Sequence, residues 1–134
     1  MTIAITRAVS PAFARCELTH LAREPIDVPC ACAQHAAYEA CLRKAGCSVV
    51  QLQAEPNLPD SVFVEDVAIV LDEVAIITRP GAESRRAETA AVSEALARHR
   101  PLVTLCAPAT LDGGDVLRVG RTLYSGRTVR TNAE

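Results

Sequence analysis

One order of secondary-structure elements occurs twice along this chain of 134 residues, and it limits the available folds more than any other feature. Each copy reads as a helix, a strand, an acidic connection and a β-hairpin, with a period of roughly fifty residues, as in propellers and arrays. A short strand within residues 1–10 precedes the first copy. The predicted helix, strand and hairpin span 33–45, 47–52 and 62–78 in the first copy, and 85–99, 102–106 and 115–125 in the second.

Apolar spacing predicts which side of each element is buried. In the first helix, steps of three and four residues predict an inward face, and Gly46 ends the helix. In the second helix, Val92, Ala95 and Leu96 face inward, and Pro101 marks the end. The strands of the first copy are nearly continuous apolar runs, so we expect protein to cover both of their faces. The predicted inward face of the first helix consists of Ala33, Ala37, Tyr38, Cys41, Leu42 and Ala45.

Composition excludes several classes of protein. Hydrophobic residues make up 49% of the chain and aromatic residues 3%, which predicts a globular protein with an aliphatic core. The net charge of −2 and the absence of a basic stripe argue against a nucleic-acid partner. No apolar run reaches the roughly 18 residues that a membrane span needs, and the first ten residues read as a strand rather than a signal peptide. We therefore expect a cytoplasmic protein with no membrane partner.

The six cysteines predict reduced thiols rather than disulfides or metal ligands. A chain of this composition can form an ordinary core without disulfides. Only Cys30 and Cys32 are close in sequence, and their spacing matches no standard zinc or redox motif. Cys41, Cys47 and Cys106 lie in apolar segments, where cysteine acts as a small hydrophobe. We expect no metal site.

Carboxylates cluster where each hairpin begins. Asp60, Glu65 and Asp66 all lie within one stretch of seven residues, and Glu65 and Asp66 belong to an apolar run. The strand pattern predicts that Glu65 and Asp66 are buried on opposite faces of the strand. A buried carboxylate needs a cationic partner. That partner is either a ligand or, in the alternative reading, an arginine in a structural ion pair. In the second copy, Asp112-Gly-Gly-Asp115 places Asp115 where the first copy has Asp66, and the glycines would allow a close backbone approach.

Arginines follow each hairpin. Arg85 and Arg86 lie beyond the first hairpin, and Arg127 and Arg130 lie beyond the second. The guanidinium is a planar fork that suits carboxylates, although Arg85 and Arg86 could equally form the solvated first turn of a helix. A cation is unfavourable in that turn, which favours a specific anionic partner. The pattern predicts a ligand with a cation at one end and a carboxylate at the other, such as an amino acid with a guanidinium side chain.

Four stretches of the chain carry a family resemblance. Together they resemble the dimethylarginine dimethylaminohydrolase (dimethylargininase) family of guanidino-group-modifying enzymes. The first two stretches are long and specific, and the resemblance extends over the whole chain. They are Pro59–Asp66 (PDSVFVED), Ala75–Arg86 (AIITRPGAESRR), Leu111–Leu117 (LDGGDVL) and Arg130–Asn132 (RTN).

The resemblance implies an α/β fold, the five-bladed α/β propeller of the penteins. Residues 1–134 would form the amino-terminal portion of that single domain, roughly its first half, with about two repeat units and a leading strand. The implied reaction is hydrolysis of Nω-methylated arginine, such as dimethylarginine or monomethylarginine, to citrulline and a methylamine. It implies no metal and no cofactor.

The resemblance also implies site residues. Asp66 would bind the substrate guanidinium, with Glu65 beside it. Asp60 and the backbone carbonyl of Leu18 would hold the α-amino group. The α-carboxylate would be clamped by Arg85 and Arg130, and Asp112 would orient the catalytic histidine.

The chain departs from the family pattern at the catalytic groups. His20, His35 and His99 do not match the catalytic histidine, none of the six cysteines matches the nucleophile, and His20 follows Leu18 in a segment that resembles a mobile lid. We therefore expect the 134 residues alone to be inactive, with a missing carboxyl-terminal half as a partner. An arginine deiminase-like enzyme and a non-catalytic module that binds arginine analogues remain alternatives. A homodimer stays open.

Overall fold

A computed structural model describes residues 2–18 and 21–134 of the chain. The fold is α/β, and the chain divides into two compact units, Met1–Val62 and Phe63–Glu134. Along the sequence, a leading strand is followed by two successions of helix, strand, 3₁₀ turn and hairpin. The predicted repeat is thus confirmed at the level of element order.

The first unit contains a parallel pair of strands joined by a helix. Strand β1 (Ile3–Arg7) pairs with β2 (Ser48–Leu52), and helix α1 (Val28–Lys44) forms the crossover between them. The helix begins five residues before the predicted start because Asp27 caps it, accepting a 2.9 Å hydrogen bond from the backbone N–H of Cys30. A proline in the first turn also favours this start.

The prediction of the buried face of α1 was wrong. Glu39 is the buried residue of this helix, whereas Tyr38 of the predicted face is 54% exposed. The reason is the polar side chains of the adjoining strands: Thr6 Oγ1 donates to Glu39 Oε1 at 2.6 Å, and Gln51 Nε2 donates to the same oxygen at 2.8 Å. Hydrogen bonding, rather than apolar burial, therefore selects the inward face. The helix ends as expected, because Gly46 has a φ of +87°.

The second unit contains a three-stranded sheet with one helix. Strand β3 (Ala68–Val70) pairs antiparallel with β4 (Ala75–Ile77), and β4 pairs parallel with β5 (Leu102–Thr104). The first strand of the hairpin was predicted from Val62, but the residues Val64–Asp66 form a 3₁₀ turn. The strand is therefore shorter than its apolar run, because the chain turns at the two carboxylates.

Helix α2 (Thr89–Ala97) follows a 3₁₀ segment, Glu83–Glu88, and residues 85–88 of that segment were predicted to belong to the helix. The predicted inward residues of α2 are confirmed as buried. They form the core of this unit with apolar side chains of the sheet and its approach. The buried set is Val67, Ala75, Ile77, Val92, Ala95 and Leu96.

The second hairpin consists of β6 (Val116–Val119) and β7 (Thr122–Ser125), and Gly120 supplies the positive φ of its turn. Its existence and position are confirmed. Within the described residues its apolar side chains are open to water, since Leu117 is 62% exposed and Tyr124 is 58% exposed. In this part of the chain the hairpin is a two-stranded sheet, and two strands alone leave apolar side chains in water. In the first copy the predicted coverage of the strands is incomplete, since Val70 is 49% exposed.

All six cysteines lie within the described residues, and none is paired with another. Cys16 is buried. Cys41, which was predicted on the inward face of α1, is exposed, and so is Cys106. Among the described residues, no helix combines the length and the apolar character that a membrane crossing requires.

Candidate functional site

Two 3₁₀ turns carry the acidic residues of the second unit. The turn Val64–Asp66 lies just before the first hairpin, and the turn Gly113–Asp115 lies just before the second. Asp66 and Asp115 are the last residues of these turns, so their predicted equivalence is confirmed. The expectation that Glu65 and Asp66 occupy opposite faces of a strand was wrong, because these two residues lie in a turn.

Adjacent glycines bring the two turns into contact. A Cβ on Gly113 would overlap the carbonyl oxygen of Glu65, and a Cβ on Gly114 would lie 2.6 Å from Asp66 Oδ1. The backbone N–H of Gly114 donates to that same oxygen at 3.1 Å. The predicted close backbone approach is confirmed. This approach allows the backbone N–H of Gly114, in the second turn, to bind the carboxylate of Asp66.

Asp66 and Glu88 share the guanidinium of Arg85. Arg85 Nη1 donates to Asp66 Oδ2 at 2.7 Å. On its other edge, Arg85 Nη2 donates to Glu88 Oε2 at 2.8 Å, and Nε donates to the two Glu88 oxygens at 3.1 and 3.2 Å. The side chains of Arg85 and Glu88 are 4% and 2% exposed, whereas that of Asp66 is 15% exposed. Of these three groups, Asp66 is the one nearest to solvent.

This arrangement keeps Arg85 charged. Burial alone would lower the pKa of the Arg85 guanidinium, but its hydrogen bonds and ion pairs with Glu88 and Asp66 raise that pKa above its ordinary value. The Arg85 guanidinium thus lies between two carboxylates, those of Asp66 and Glu88. The sequence left open whether the partner of Asp66 is a ligand or an arginine of the chain. In the structure it is an arginine, Arg85, which also pairs with a second carboxylate, Glu88.

Asp112 lies buried beside the partly exposed Arg130. Arg130 Nη1 donates to Asp112 Oδ2 at 3.3 Å, and the N–H of Gly81 donates to Asp112 Oδ1 at 3.2 Å. The side chain of Arg130 is 40% exposed and that of Asp112 only 2%. Burial raises the pKa of Asp112 above its ordinary value of 3.8, the Gly81 hydrogen bond opposes this effect, and repulsion from Asp66 adds to it. Asp112 is therefore a buried carboxylate held by one backbone donor and one cation.

The loop that carries Arg130 is fixed by Asp115. Thr128 Oγ1 donates to Asp115 Oδ2 at 2.7 Å, and Thr131 Oγ1 donates to the same oxygen. Thr131 Oγ1 in turn accepts the backbone N–H of Asp112 at 3.2 Å. Arg130 thus lies between two threonines that both donate to Asp115. Because Thr131 also accepts from the backbone of Asp112, the loop is held next to the carboxylate that Arg130 binds.

Glu65 is exposed at the surface of this segment. Partial desolvation raises the pKa of its carboxyl above its ordinary value of 4.5, a hydrogen bond with its own backbone opposes this, and repulsion from Asp66 adds to it. The prediction that Glu65 is buried was wrong, because the 3₁₀ turn directs it away from the core of the unit. It still adds negative charge next to Asp66.

In the first unit, Asp60 holds the segment that contains Leu18. Both carboxylate oxygens of Asp60 accept from the backbone N–H of Glu17, at 3.1 and 3.0 Å. Asp60 is 4% exposed and Leu18 is 38% exposed. The structure therefore brings Asp60 next to the residue before Leu18. Within this unit, the two residues that the resemblance links to the α-amino group lie close together.

Comparison with known proteins identifies the relatives of this arrangement. Dimethylarginine dimethylaminohydrolase of Streptomyces coelicolor is 50% identical over 131 residues, which are 97% of this chain and 51% of the relative. The chain is homologous to the dimethylarginine dimethylaminohydrolases. It spans about half the length of the curated relatives it matches. No protein-family model matches the chain.

The fold agrees with that of a solved dimethylarginine dimethylaminohydrolase. The Pseudomonas aeruginosa enzyme, a cysteine-to-serine mutant complexed with citrulline, is 38% identical with a TM-score of 0.91, over 96% of this chain and 51% of that one. A more distant neighbour is the N-terminal domain of a cyanobacterial arginine dihydrolase bound to substrate. It has a TM-score of 0.76 at 18% identity, over 96% of this chain and 51% of that domain, and this likeness concerns the fold alone.

No histidine or cysteine of this chain was predicted to match the catalytic histidine or the nucleophilic cysteine of the family. The structure describes two of the three histidines. His35 lies on α1, where its Nε2 is 3.4 Å from Glu39 Oε1. His99 follows the end of α2, and His20 lies outside the described residues, as does any lid there. Within residues 2–18 and 21–134, no group of three or more His, Cys, Asp or Glu side chains is placed to hold a metal ion.

Sequence reasoning missed several members of this dimethylarginine dimethylaminohydrolase-like segment. Glu88 was not considered, although its i, i+3 spacing from Arg85 is a signal for an ion pair. Thr128 and Thr131 gave no signal, since threonines in a loop are common. Gly81 could have been suspected: a Cβ there would overlap the backbone of Arg130, so only glycine fits.

Proposed function

We propose that this chain carries the substrate-binding portion of a hydrolase that converts Nω-methylated arginine to citrulline and a methylamine. The observation that carries the proposal is the carboxylate of Asp66, fixed on one oxygen by Gly114 and on the other by Arg85. Because Glu88 also binds Arg85, the charge of that guanidinium is shared, and the carboxylate of Asp66 can attract a cationic guanidinium as well. The homology to dimethylarginine dimethylaminohydrolases supports that substrate class.

Each site residue receives a role in this proposal. Asp66 binds the substrate guanidinium and keeps it cationic, which keeps its central carbon electrophilic, and Glu65 adds charge beside it. Asp60 and the carbonyl of Leu18 bind the α-amino group. Arg130 binds the α-carboxylate, because 40% of its side chain is exposed. Arg85, to which the resemblance gives the same role, is 4% exposed and already donates to Asp66 and Glu88.

Asp112 is proposed to orient a histidine that the rest of the protein supplies. Its burial and its hydrogen bond from Gly81 fix the carboxylate, which is what a carboxylate behind a general base requires. In the proposed reaction, a cysteine thiolate adds to the guanidinium carbon and the methylamine leaves with a proton from the histidine. Water then adds to the covalent intermediate and releases the thiolate and citrulline.

The chain is proposed to form the first half of a five-bladed α/β propeller, as one portion of a single domain. Exposed apolar residues on the β6–β7 hairpin support a missing covering segment, since Leu117, Val119 and Tyr124 are each more than half exposed. The other half would provide both catalytic groups. We accordingly propose that the 134 residues alone bind ligand without turnover.

Two alternatives differ in what they do with the same groups. An arginine deiminase-like enzyme would act on unmethylated arginine and release ammonia, and the fold does not separate the two, because an arginine dihydrolase shares it. A binding module would hold arginine analogues without any reaction. The 50% identity to a dimethylarginine dimethylaminohydrolase favours the methylated substrate.

The test supplies the missing half in trans. The chain is incubated with dimethylarginine or arginine, alone and with the part of the Streptomyces coelicolor relative that it does not match. We expect no citrulline from the chain alone, and citrulline with dimethylamine after complementation. Ammonia from arginine would favour the deiminase. Ligand binding with no product, although the two halves associate, would favour the module and contradict hydrolysis.

A further inference from the structure

Glu88 has no role in the proposed reaction, yet it is among the most buried carboxylates of the second unit. It is 2% exposed and ends the 3₁₀ segment Glu83–Glu88. Its two oxygens accept hydrogen bonds from Nε and Nη2 of Arg85 at 2.8 to 3.2 Å. Burying a carboxylate costs several kcal/mol unless its partner compensates, so this position calls for an explanation.

The balance of charge around Arg85 offers an explanation for the buried carboxylate of Glu88. If Arg85 faced Asp66 alone, the two would form a neutral pair with little attraction for a second cation. With Glu88 on the opposite edge of the guanidinium, the positive charge is shared between two carboxylates. The carboxylate nearer to solvent, that of Asp66, then keeps negative charge available for a ligand.

The orientation of the Arg85 guanidinium also supports a role for Glu88. Glu88 occupies the Nε–Nη2 edge of Arg85 in bidentate fashion, which leaves Nη1 directed at Asp66 Oδ2. The other oxygen of Asp66 accepts from Gly114. The plane of the Asp66 carboxylate is therefore set by a guanidinium that Glu88 itself holds in place.

We propose that Glu88 is a positioning residue that acts through Arg85 to fix the Asp66 carboxylate and to preserve its selectivity for a cationic guanidinium ligand. This inference rests on the proposed function for the identity of the ligand. Glu88 touches no substrate atom in this account. It acts on the charge and the orientation of the group that does.

Ligand selectivity is the first test. Binding of cationic L-arginine and of neutral L-citrulline is measured by calorimetry on the full chain and on Glu88→Gln. We expect arginine affinity to fall by about fivefold or more relative to citrulline, because one nearby negative charge is lost. Glu88→Asp retains the charge and should restore part of the selectivity. Equal loss for both ligands would show a purely structural role and overturn the proposal.

A matched control separates this effect from a general loss of charge. Glu83→Gln removes a carboxylate from the same 3₁₀ segment, where Glu83 pairs with Arg86 and is 85% exposed. We expect that variant to leave the ratio of arginine to citrulline affinity unchanged. A change in the ratio equal to that of Glu88→Gln would contradict a specific role for Glu88.

A second measurement needs no ligand and therefore separates this inference from the proposed function. Asp66→Asn is compared in the original chain and in the Glu88→Gln chain by denaturant unfolding. Without Glu88, Asp66 carries a larger share of the pairing with buried Arg85, so Asp66→Asn should change the unfolding equilibrium constant by about threefold more in that background. An identical change in both backgrounds would overturn the shared-charge arrangement.

A third readout covers the case in which Glu88→Gln does not fold. In the Asp66→Asn chain, Glu88 still accepts from Arg85 Nε, so that side-chain proton should remain protected from exchange in NMR spectra. Its loss of protection would show that Asp66 rather than Glu88 holds Arg85. If the original chain binds neither arginine nor citrulline, the proposed function fails, while the unfolding and exchange results still decide the role of Glu88.

Discussion

The carbonyl oxygen of Glu65 occupies the space in which any residue other than glycine at position 113 would carry its Cβ. The contact joins the 3₁₀ turn before the first hairpin to the turn before the second. The Gly114 N–H that binds Asp66 is adjacent to this contact. The glycine pair therefore sets the position of the most important carboxylate of the candidate site.

Gly113→Ala should separate the two turns. We expect the free energy of unfolding to fall by about 2 kcal/mol, as for other forced overlaps in packed regions. Denaturant unfolding measures it. Gly126→Ala is the control, since a Cβ there lies 3.8 Å from its nearest neighbour and should have a small effect. Equal stability of the two variants would contradict the close packing of the turns.

Arg85→Met should be more damaging than the same change at the next residue. It breaks the buried pair of Arg85 with Glu88, and breaking a buried pair costs about 3 kcal/mol or more. Arg86→Met removes a pair with the exposed Glu83 and a hydrogen bond to the carbonyl of Pro80, and should cost about 1 to 2 kcal/mol. Chemical denaturation of both variants makes the comparison. Similar losses would mean that the Arg85 cluster is not structurally important.

Arg130→Met should weaken ligands that carry an α-carboxylate. We expect arginine affinity to fall by about tenfold, the effect of losing a charge-assisted hydrogen bond, with little change for agmatine, which has no carboxylate. Titration calorimetry with both ligands measures the difference. The control is Arg127→Met, because Arg127 is exposed on the same loop. Parallel losses for arginine and agmatine would contradict the assignment of Arg130 to the carboxylate.

Glu39 should make the first unit sensitive to acid. Burial alone would raise the pKa of Glu39, but hydrogen bonds from Thr6, Gln51 and Arg43 lower it below its ordinary value of 4.5. A carboxyl whose pKa is lowered by folding stabilises the fold above its unfolded pKa, and this stabilisation is lost as the pH falls through the folded pKa. Stability should therefore decline as the pH falls below 4.5.

Glu39→Gln should reduce that decline, because a glutamine has no proton to take up. Denaturant unfolding at a series of pH values from neutral to acid measures the slope. The control is Glu94→Gln: Glu94 pairs with Arg98 on the surface, with 76% of its side chain exposed, and its removal should leave the slope unchanged. An acid limb of equal steepness in Glu39→Gln would exclude Glu39 as its source.

Element order and the buried face of α2 could be predicted from the sequence because aliphatic residues at helical spacing carry that information. The face of α1 could not, since an alanine-rich helix offers little contrast between its sides. There, hydrogen bonds from Thr6 and Gln51 decide which side faces the strands. Such pairings join residues more than ten positions apart, and a local pattern does not contain them.

The candidate site shows the same division. Carboxylates and arginines next to hairpins were visible in the sequence, and so was the need for a cation near Asp66. The choice of Arg85 as that cation, with Glu88 behind it, depends on how the chain turns at residues 64–66 and 83–88. The sequence pattern predicted strand at residues 64–66 and helix at residues 85–88, whereas the 3₁₀ turns depend on tertiary contacts such as that of Gly113 with Glu65.

The most direct test of the central claim is a calorimetric titration of the 134-residue chain, and of its Asp66→Asn variant, with Nω,Nω-dimethylarginine. We expect saturable binding of one ligand per chain, no citrulline in the recovered sample, and at least about tenfold weaker binding by the variant, because a charged contact to the guanidinium is lost. Absence of saturable binding, or equal binding by the two chains, would contradict the claim that these residues hold the substrate.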